Sequence, residues 1–129
     1  MTVDDNVDIL VTLKDILQRK EYDVILASNG FEALEILENT AVDLIITDII
    51  MPLMEGLEFV QKDASKHPKL PIVVMSGISN DHYLTPASYF GAVCKLTKPF
   101  ETNDPLDAIR CAMEQKNGKK HTPTSNKQI

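Results

Sequence analysis

The apolar residues of this chain alternate between two spacings, and this alternation limits the folds open to it. Segments with the 3.6-residue period of amphipathic helices are separated by short, mostly apolar runs within residues 42–47 and 70–75. Such runs are typical of strands that are buried on both faces, as in a parallel sheet covered by helices. The pattern therefore predicts one α/β layered sandwich built on a parallel sheet.

Five strands and five helices are predicted along the chain. The helices are expected over 7–20, from Asn29, over 57–66, over 81–90, where the apolar pattern is weak, and from Asp104-Pro105. Asp5 or Asn6 is the expected N-cap of the first helix, and Asn29 with Glu32 forms a capping-box variant at the second. Asp104 is the expected N-cap of the last helix, with Pro105 at its first helical position. The strands are expected at residues 1–3, 22–27, 42–47, 71–75 and 92–96. This order places one folded domain at 1–116 and a polar basic tail at 117–129.

Composition excludes several classes of protein. With 129 residues, 43% hydrophobic and 25% charged, the chain as given is expected to fold as one domain, with no transmembrane run and no secretory signal. Residues 1–115 carry nine basic and 19 acidic residues, a net charge of −10, which argues against nucleic-acid binding by the folded part. Residues 116–129 carry four lysines and no acidic residue, and the tail is expected to be flexible and solvated. Cys94 and Cys111 match no metal-ligand spacing and are expected to be buried thiols in a reducing cytoplasm.

Polar residues follow the ends of the predicted strands. They are Asp4 and Asp5 after the first strand, Asp48 after the third, Ser76 after the fourth and Lys98 after the fifth. Because the carboxyl ends of parallel strands meet at one edge of a sheet, these side chains are expected to lie close together. Carboxylates at such a short distance repel one another, so a Mg2+ ion that keeps several waters is predicted among them. The alternative for the Asp4-Asp5 pair is helix capping and solvated charge.

Four motifs give the sequence a family resemblance. They are Val3-Asp4-Asp5-Asn6, a D-x-x-M-P-x-M-x-G segment at 48–56, Met75-Ser76-Gly77 and Leu96-Thr97-Lys98-Pro99-Phe100. In this order and spacing the motifs resemble those of the response-regulator receiver domain, of the chemotaxis-regulator type, over residues 1 to about 116. The resemblance implies a flavodoxin-like three-layer sandwich with strand order 2-1-3-4-5. It also implies two-component phosphotransfer from a histidine kinase or a histidine phosphotransfer protein.

The resemblance also implies roles for individual residues. Asp48 would be the phosphoacceptor, and Asp5, Asp48 and the backbone carbonyl of Ile50 would bind Mg2+ directly. Asp4 would act mostly through a metal-bound water. Ser76 would donate a hydrogen bond to a phosphoryl oxygen, and Lys98, followed by a cis bond to Pro99, would pair with the same group. The chain would then not be an enzyme that acts on other substrates. It would be a phosphoacceptor that assists its own phosphorylation and dephosphorylation.

The sequence departs from the family pattern in three places. Only three residues precede the acidic pair, which predicts a short first strand or a truncated start. Lys95 stands where the family usually carries a tyrosine or phenylalanine that couples to the serine on activation. Ile50 and Ile78 stand where polar residues often position a hydrolytic water, so the phosphorylated form is predicted to be long-lived.

Other classes of protein fit the residues less well. A haloacid-dehalogenase-like hydrolase needs a second aspartate two residues after its nucleophile, and that residue is Ile50. A flavodoxin-type electron carrier binds a phosphate after its first strand, where Asp4 and Asp5 would repel it. A stand-alone receiver is predicted, signalling to a protein through the surface of the fourth helix, fifth strand and fifth helix. Three alternatives stay open. The chain could be a fragment of a larger regulator or hybrid kinase, it could be a docking module that works without phosphorylation, and it could form a homodimer.

Overall fold

The computed structural model describes residues 1–48, 70–77, 92–117 and 129. In these residues five strands form one sheet: β1 (Thr2–Val3), β2 (Leu26–Ala27), β3 (Ile45–Asp48), β4 (Ile72–Gly77) and β5 (Ala92–Lys98). All neighbours pair in parallel, and their order is β2-β1-β3-β4-β5. The predicted flavodoxin-like fold is therefore confirmed.

Three helices lie within the described part of the chain: α1 (Val7–Gln18), α2 (Gly30–Asn39) and α3 (Asn103–Asn117), the fifth helix of the predicted order. None of these three is long and apolar enough to cross a membrane. The helices predicted over 57–66 and 81–90 fall outside the described residues. The interpretation of those two segments stays a prediction.

The helix starts largely follow the predicted caps. Asn6 caps α1, and Asn29 caps α2 by accepting a hydrogen bond from the Glu32 backbone N–H at 2.8 Å. The capping box is incomplete, however, because the Glu32 carboxylate accepts a bond from the Ser28 hydroxyl instead. Helix α3 begins at Asn103, so Asp104 lies inside the helix instead of capping it, and Pro105 is the third helical residue rather than the predicted first.

The strand lengths differ from the predicted ones because pairing depends on the neighbouring strand. Strand β1 has only two residues, as the short lead before Asp4 predicted. Strand β2 pairs only through Leu26 and Ala27, since β1 offers no further partner for the rest of the predicted 22–27 run. Strands β4 and β5 extend further than predicted because they pair with each other as far as Gly77 and Lys98.

The core consists of two apolar clusters. One includes Ala33 and Leu37 of α2, and the other includes Leu13 and Leu17 of α1 together with Ile109 of α3. Strands contribute to both clusters, as expected for strands buried on both faces. The sheet therefore holds its carboxyl ends in fixed positions between helix layers.

Two sequence predictions are wrong. Cys94 and Cys111 are not separate buried thiols; they form a disulfide, and both residues are only half-buried. The tail is not solvated throughout, because Ile129 is fully buried in the cluster that contains α1 and α3. Its backbone exchanges two hydrogen bonds with the segment before β2, donating to the Asp23 carbonyl and accepting from the Ile25 N–H. Residues that touch across the fold, not the local composition, determine both outcomes.

Candidate functional site

The predicted site residues lie at the carboxyl end of the sheet. Asp4 follows β1, Asp48 is the last residue of β3, Ser76 is next to last in β4, and Lys98 is the last residue of β5. Asp4 and Ser76 are fully buried and Asp48 is 7% exposed. Parallel pairing brings these positions to one edge, so strand topology assembles the cluster that the sequence predicted.

Asp4 is held from two sides. Its Oδ1 accepts a hydrogen bond from the Asn6 backbone N–H at 2.9 Å, and its Oδ2 accepts one from Lys98 Nζ at 2.8 Å. Burial of the carboxyl raises the pKa of Asp4, and the bonds to Lys98 and Asn6 oppose this rise only in part. Since both oxygens already have partners, Asp4 is suited to contact a metal through water rather than directly.

Lys98 joins the two buried carboxylates. Its ammonium lies 2.8 Å from Asp4 Oδ2 and 3.3 Å from Asp48 Oδ2. Burial by itself lowers the pKa of Lys98, but the hydrogen bonds and charges of Asp4 and Asp48 outweigh it and raise the pKa. Lys98 therefore stays protonated and supplies a positive charge beside the Asp48 carboxylate.

The three carboxylates fit a divalent metal. One oxygen each from Asp4, Asp5 and Asp48 lies within 4.8 Å of the others. Magnesium binds oxygen at about 2.1 Å, so two oxygens on one ion lie roughly 3 to 4 Å apart. A spacing of up to 4.8 Å suits direct binding by Asp5 and Asp48 and contact through a metal-bound water by Asp4. Three carboxylates and one ammonium leave a net charge of −2, which a Mg2+ ion balances. Receiver domains in general bind Mg2+, and this donor set agrees with that property.

Two further predictions concern Ile50 and the peptide bond after Lys98, and two contacts near the site were not predicted. Ile50, whose carbonyl was expected to bind the metal, lies outside the described residues. The Lys98–Pro99 peptide is cis, as the resemblance implied. Sequence analysis missed the Asn6 backbone contact, although an Asx turn two residues after Asp4 is a recognisable local pattern. It also missed Thr47, whose hydroxyl donates to the Asp48 carbonyl at 3.1 Å and supports the strand end.

Comparison with known proteins agrees with this geometry. Residues 1–110 match the family described as the response regulator receiver domain. This chain belongs to that family. A receiver domain protein from Clostridium thermocellum superposes with a TM-score of 0.81 at 28% identity, covering 90% of this chain and 94% of that one. Fold and sequence therefore lead to the same assignment.

Relatives of this receiver differ in overall length. Sporulation initiation phosphotransferase F of Bacillus subtilis is 24% identical over 85% of this chain and 89% of its own length. Response regulator GtcR of Aneurinibacillus migulanus is 31% identical over 84% of this chain but only 43% of its own length. The receiver family thus occurs both as nearly whole proteins of this size and as part of longer regulators.

Proposed function

We propose that Asp48 accepts a phosphoryl group and that the phosphorylated domain signals to a partner protein through a changed surface. The observation that carries this proposal is the Lys98 ammonium, which reaches both Asp4 and Asp48 in a cluster of three carboxylates. Phosphoryl transfer depends mainly on positioning and on neutralisation of negative charge. Lys98 would supply one positive charge and the metal ion two.

The chemical step is a displacement at phosphorus. A carboxylate oxygen of Asp48 forms a bond to phosphorus while the bond from phosphorus to the donor breaks. With a phosphohistidine donor the leaving group is the imidazole nitrogen, which keeps the electron pair and takes up a proton. Ser76, buried beside Asp48 at the end of β4, is proposed to hold a phosphoryl oxygen. Magnesium, held by Asp5, Asp48 and the Ile50 carbonyl, would neutralise charge on the transferred group.

The donor and setting follow from this chemistry. We propose a histidine kinase or a histidine phosphotransfer protein as donor, in the cytoplasm, where ATP supplies the phosphoryl group. The chain would be a phosphoacceptor rather than an enzyme with separate substrates. A stand-alone receiver is supported by the 89% of sporulation initiation phosphotransferase F that the chain covers. The output surface is proposed to include β5 and α3 and to contact protein rather than nucleic acid.

The test is the intact mass of the protein after incubation with acetyl phosphate and Mg2+. One added phosphoryl group is expected, and Asp48→Asn should abolish it, as should removal of Mg2+ with a chelator. Asp43→Asn is the matched control, because it removes an exposed carboxylate two residues before the start of the same strand. Equal labelling of the Asp48 and Asp43 variants would contradict the proposal, and an absence of labelling in every protein would favour a phosphorylation-independent docking module.

A further inference from the structure

A disulfide joins the edge strand of the sheet to the C-terminal helix. Cys94 lies in β5 and Cys111 in α3, 17 residues apart, with their Cα atoms 6.3 Å from each other. Both residues are half-buried, whereas the apolar residues next to them in the core are fully covered. The bond therefore lies at the margin of the core rather than inside it.

We propose that Cys94 and Cys111 form a reversible thiol–disulfide site, which small thiols reduce and small disulfides oxidise while the domain stays folded. The inference stands apart from the proposed phosphotransfer, because it concerns other residues and a different reaction. Disulfides in cytoplasmic proteins are mostly transient or redox-sensing, because the thiol pool reduces stable exposed ones. A site in the proposed cytoplasmic setting would thus respond to the redox state of that pool.

The fold does not depend on this bond. Helix α3 already packs on the sheet through fully or almost fully buried side chains, namely Ala108, Ile109, Ala112 and Met113. Strand β5 is held separately by its ladder with β4, which runs from the Ile72 and Ala92 pair to the Gly77 and Lys98 pair. Since apolar packing and backbone pairing secure both elements, reduction is expected to leave them in place.

The two sulfurs are also within reach of small reagents. Cys94 and Cys111 line a surface cavity of about 540 Å³. That volume is within the range of small-molecule sites, which is roughly 300 to 1,000 Å³. The lining also includes the ammonium-bearing Lys95 and the carboxylates of Asp104 and Asp107. Both cysteines line this cavity and are half-buried, so a small thiol can approach the bond between them.

The exchange balances with glutathione as the reagent. A glutathione thiolate attacks one sulfur of the disulfide, so the Cys94–Cys111 bond breaks and a mixed disulfide and a free protein thiolate form. A second glutathione attacks the mixed disulfide and releases oxidised glutathione and the other protein thiolate. Both thiolates then take up protons from water. Oxidation is the reverse reaction, in which oxidised glutathione accepts the two electrons.

The first test uses the unmodified protein in glutathione buffers of graded ratio, without denaturant. After acid quenching and alkylation with iodoacetamide, intact mass reports how many thiols are free. We expect the doubly alkylated fraction to follow the glutathione ratio in both directions, with an unchanged circular dichroism spectrum. The proposal is overturned if thiols become free only in denaturant, if the protein unfolds on reduction, or if both thiols stay free in excess oxidised glutathione.

The second test compares thermal unfolding with and without dithiothreitol. The oxidised protein should melt on the order of 10 °C above the reduced protein, because closing a loop of this length restricts the unfolded chain. The Cys94→Ser/Cys111→Ser protein is the matched control and should melt at one temperature in both buffers. Cys94→Ser alone should take up one glutathione at Cys111. A dithiothreitol shift of equal size in the double variant would show that the effect does not come from this bond.

Discussion

The α-amino group of Met1 is an ionisable group placed inside the sheet. It donates a hydrogen bond to the Leu44 carbonyl at 2.7 Å, while the Met1 carbonyl accepts one from the Ile46 N–H at 2.9 Å. Burial lowers the pKa of this amine from 8.0 to about 4, although the Asp43 carboxylate acts in the opposite direction. At neutral pH the folded chain thus holds a neutral amine, whereas the unfolded chain holds an ammonium.

This difference predicts a pH-dependent stability. Between about pH 4 and 8 the unfolded chain binds a proton that the folded chain has released, so stability should rise with pH by about 1.4 kcal/mol per unit from this group. Four apolar residues added before Met1 turn the amine into an amide that keeps its N–H donor. The extension should raise the thermal midpoint at pH 6 by several degrees and flatten the slope. Equal slopes in the two proteins would contradict this assignment.

Phosphate loss is predicted to depend on Ile50 and Ile78. Both residues lie outside the described part of the chain, so this prediction rests on the sequence. Hydrolysis needs a water aligned opposite the bond from Asp48 to phosphorus, and an isoleucine side chain can neither hold that water nor accept its proton. Replacing Ile50 with Asn and Ile78 with Glu should speed the decay of the phosphorylated form several-fold at fixed Mg2+. An unchanged decay rate would remove water exclusion as the cause.

At the scale of elements, β5 carries two lysines in different environments. Lys98 bonds Asp4 at the strand end, whereas Lys95, at the position of the family's aromatic residue, is exposed. Turning an ammonium into the core would cost its hydration, so Lys95 is expected to stay at the surface in both signalling states. Strand β5 would therefore link the site to the proposed output surface without a buried aromatic side chain.

The two lysines offer a matched comparison within one strand. Lys98→Met should slow labelling by acetyl phosphate by roughly 10²-fold, because it removes a preorganised charge beside the transferred group. Lys95→Met should leave that rate within about twofold, since its side chain is exposed and lies three residues before the strand end that carries Lys98. Lys95→Tyr should in turn alter partner affinity more than labelling. A loss of labelling in the Lys95 variants would refute this division of roles.

At the scale of the whole molecule, the last residue of the tail, Ile129, packs into the core. Ile129 is fully buried against residues of α1 and α3, and its backbone bonds the segment at 23–25. These hydrogen bonds pair the end of the tail with the backbone just before the edge strand β2. A residue more than a hundred positions away in sequence thus contributes to the packing of the first helix.

Truncating this side chain gives a graded test. Ile129→Ala should lower the free energy of unfolding by about 2 kcal/mol or more, and Ile129→Val by about 1 kcal/mol, as for other buried isoleucines. A solvated tail would instead leave both variants within about 0.5 kcal/mol of the parent. Urea unfolding monitored by circular dichroism measures the difference. Two unchanged midpoints would show that the tail does not pack in solution.

Local sequence patterns determined the α/β fold class with its parallel sheet, the starts of α1 and α2, and the residues of the strand-end cluster, whereas the strand order came from the family resemblance. The reason is that alternation of helices and strands predicts a parallel sheet, and parallel strands carry Asp4, Asp48, Ser76 and Lys98 to one edge. The short length of β1 could also be predicted from the sequence, because only three residues precede Asp4. These features depend on periods and spacings of a few residues, which a sequence displays directly.

Only the tertiary structure decided which distant groups meet. Cys94 and Cys111 have no spacing that marks a disulfide, and they bond because α3 packs across β5. The tail composition indicates a solvated end, yet Ile129 is buried in a cluster formed by α1, α3 and strands β3, β4 and β5. The lowered pKa of the Met1 amine likewise follows from burial between strands. Such contacts depend on packing geometry, which no local pattern of residues encodes.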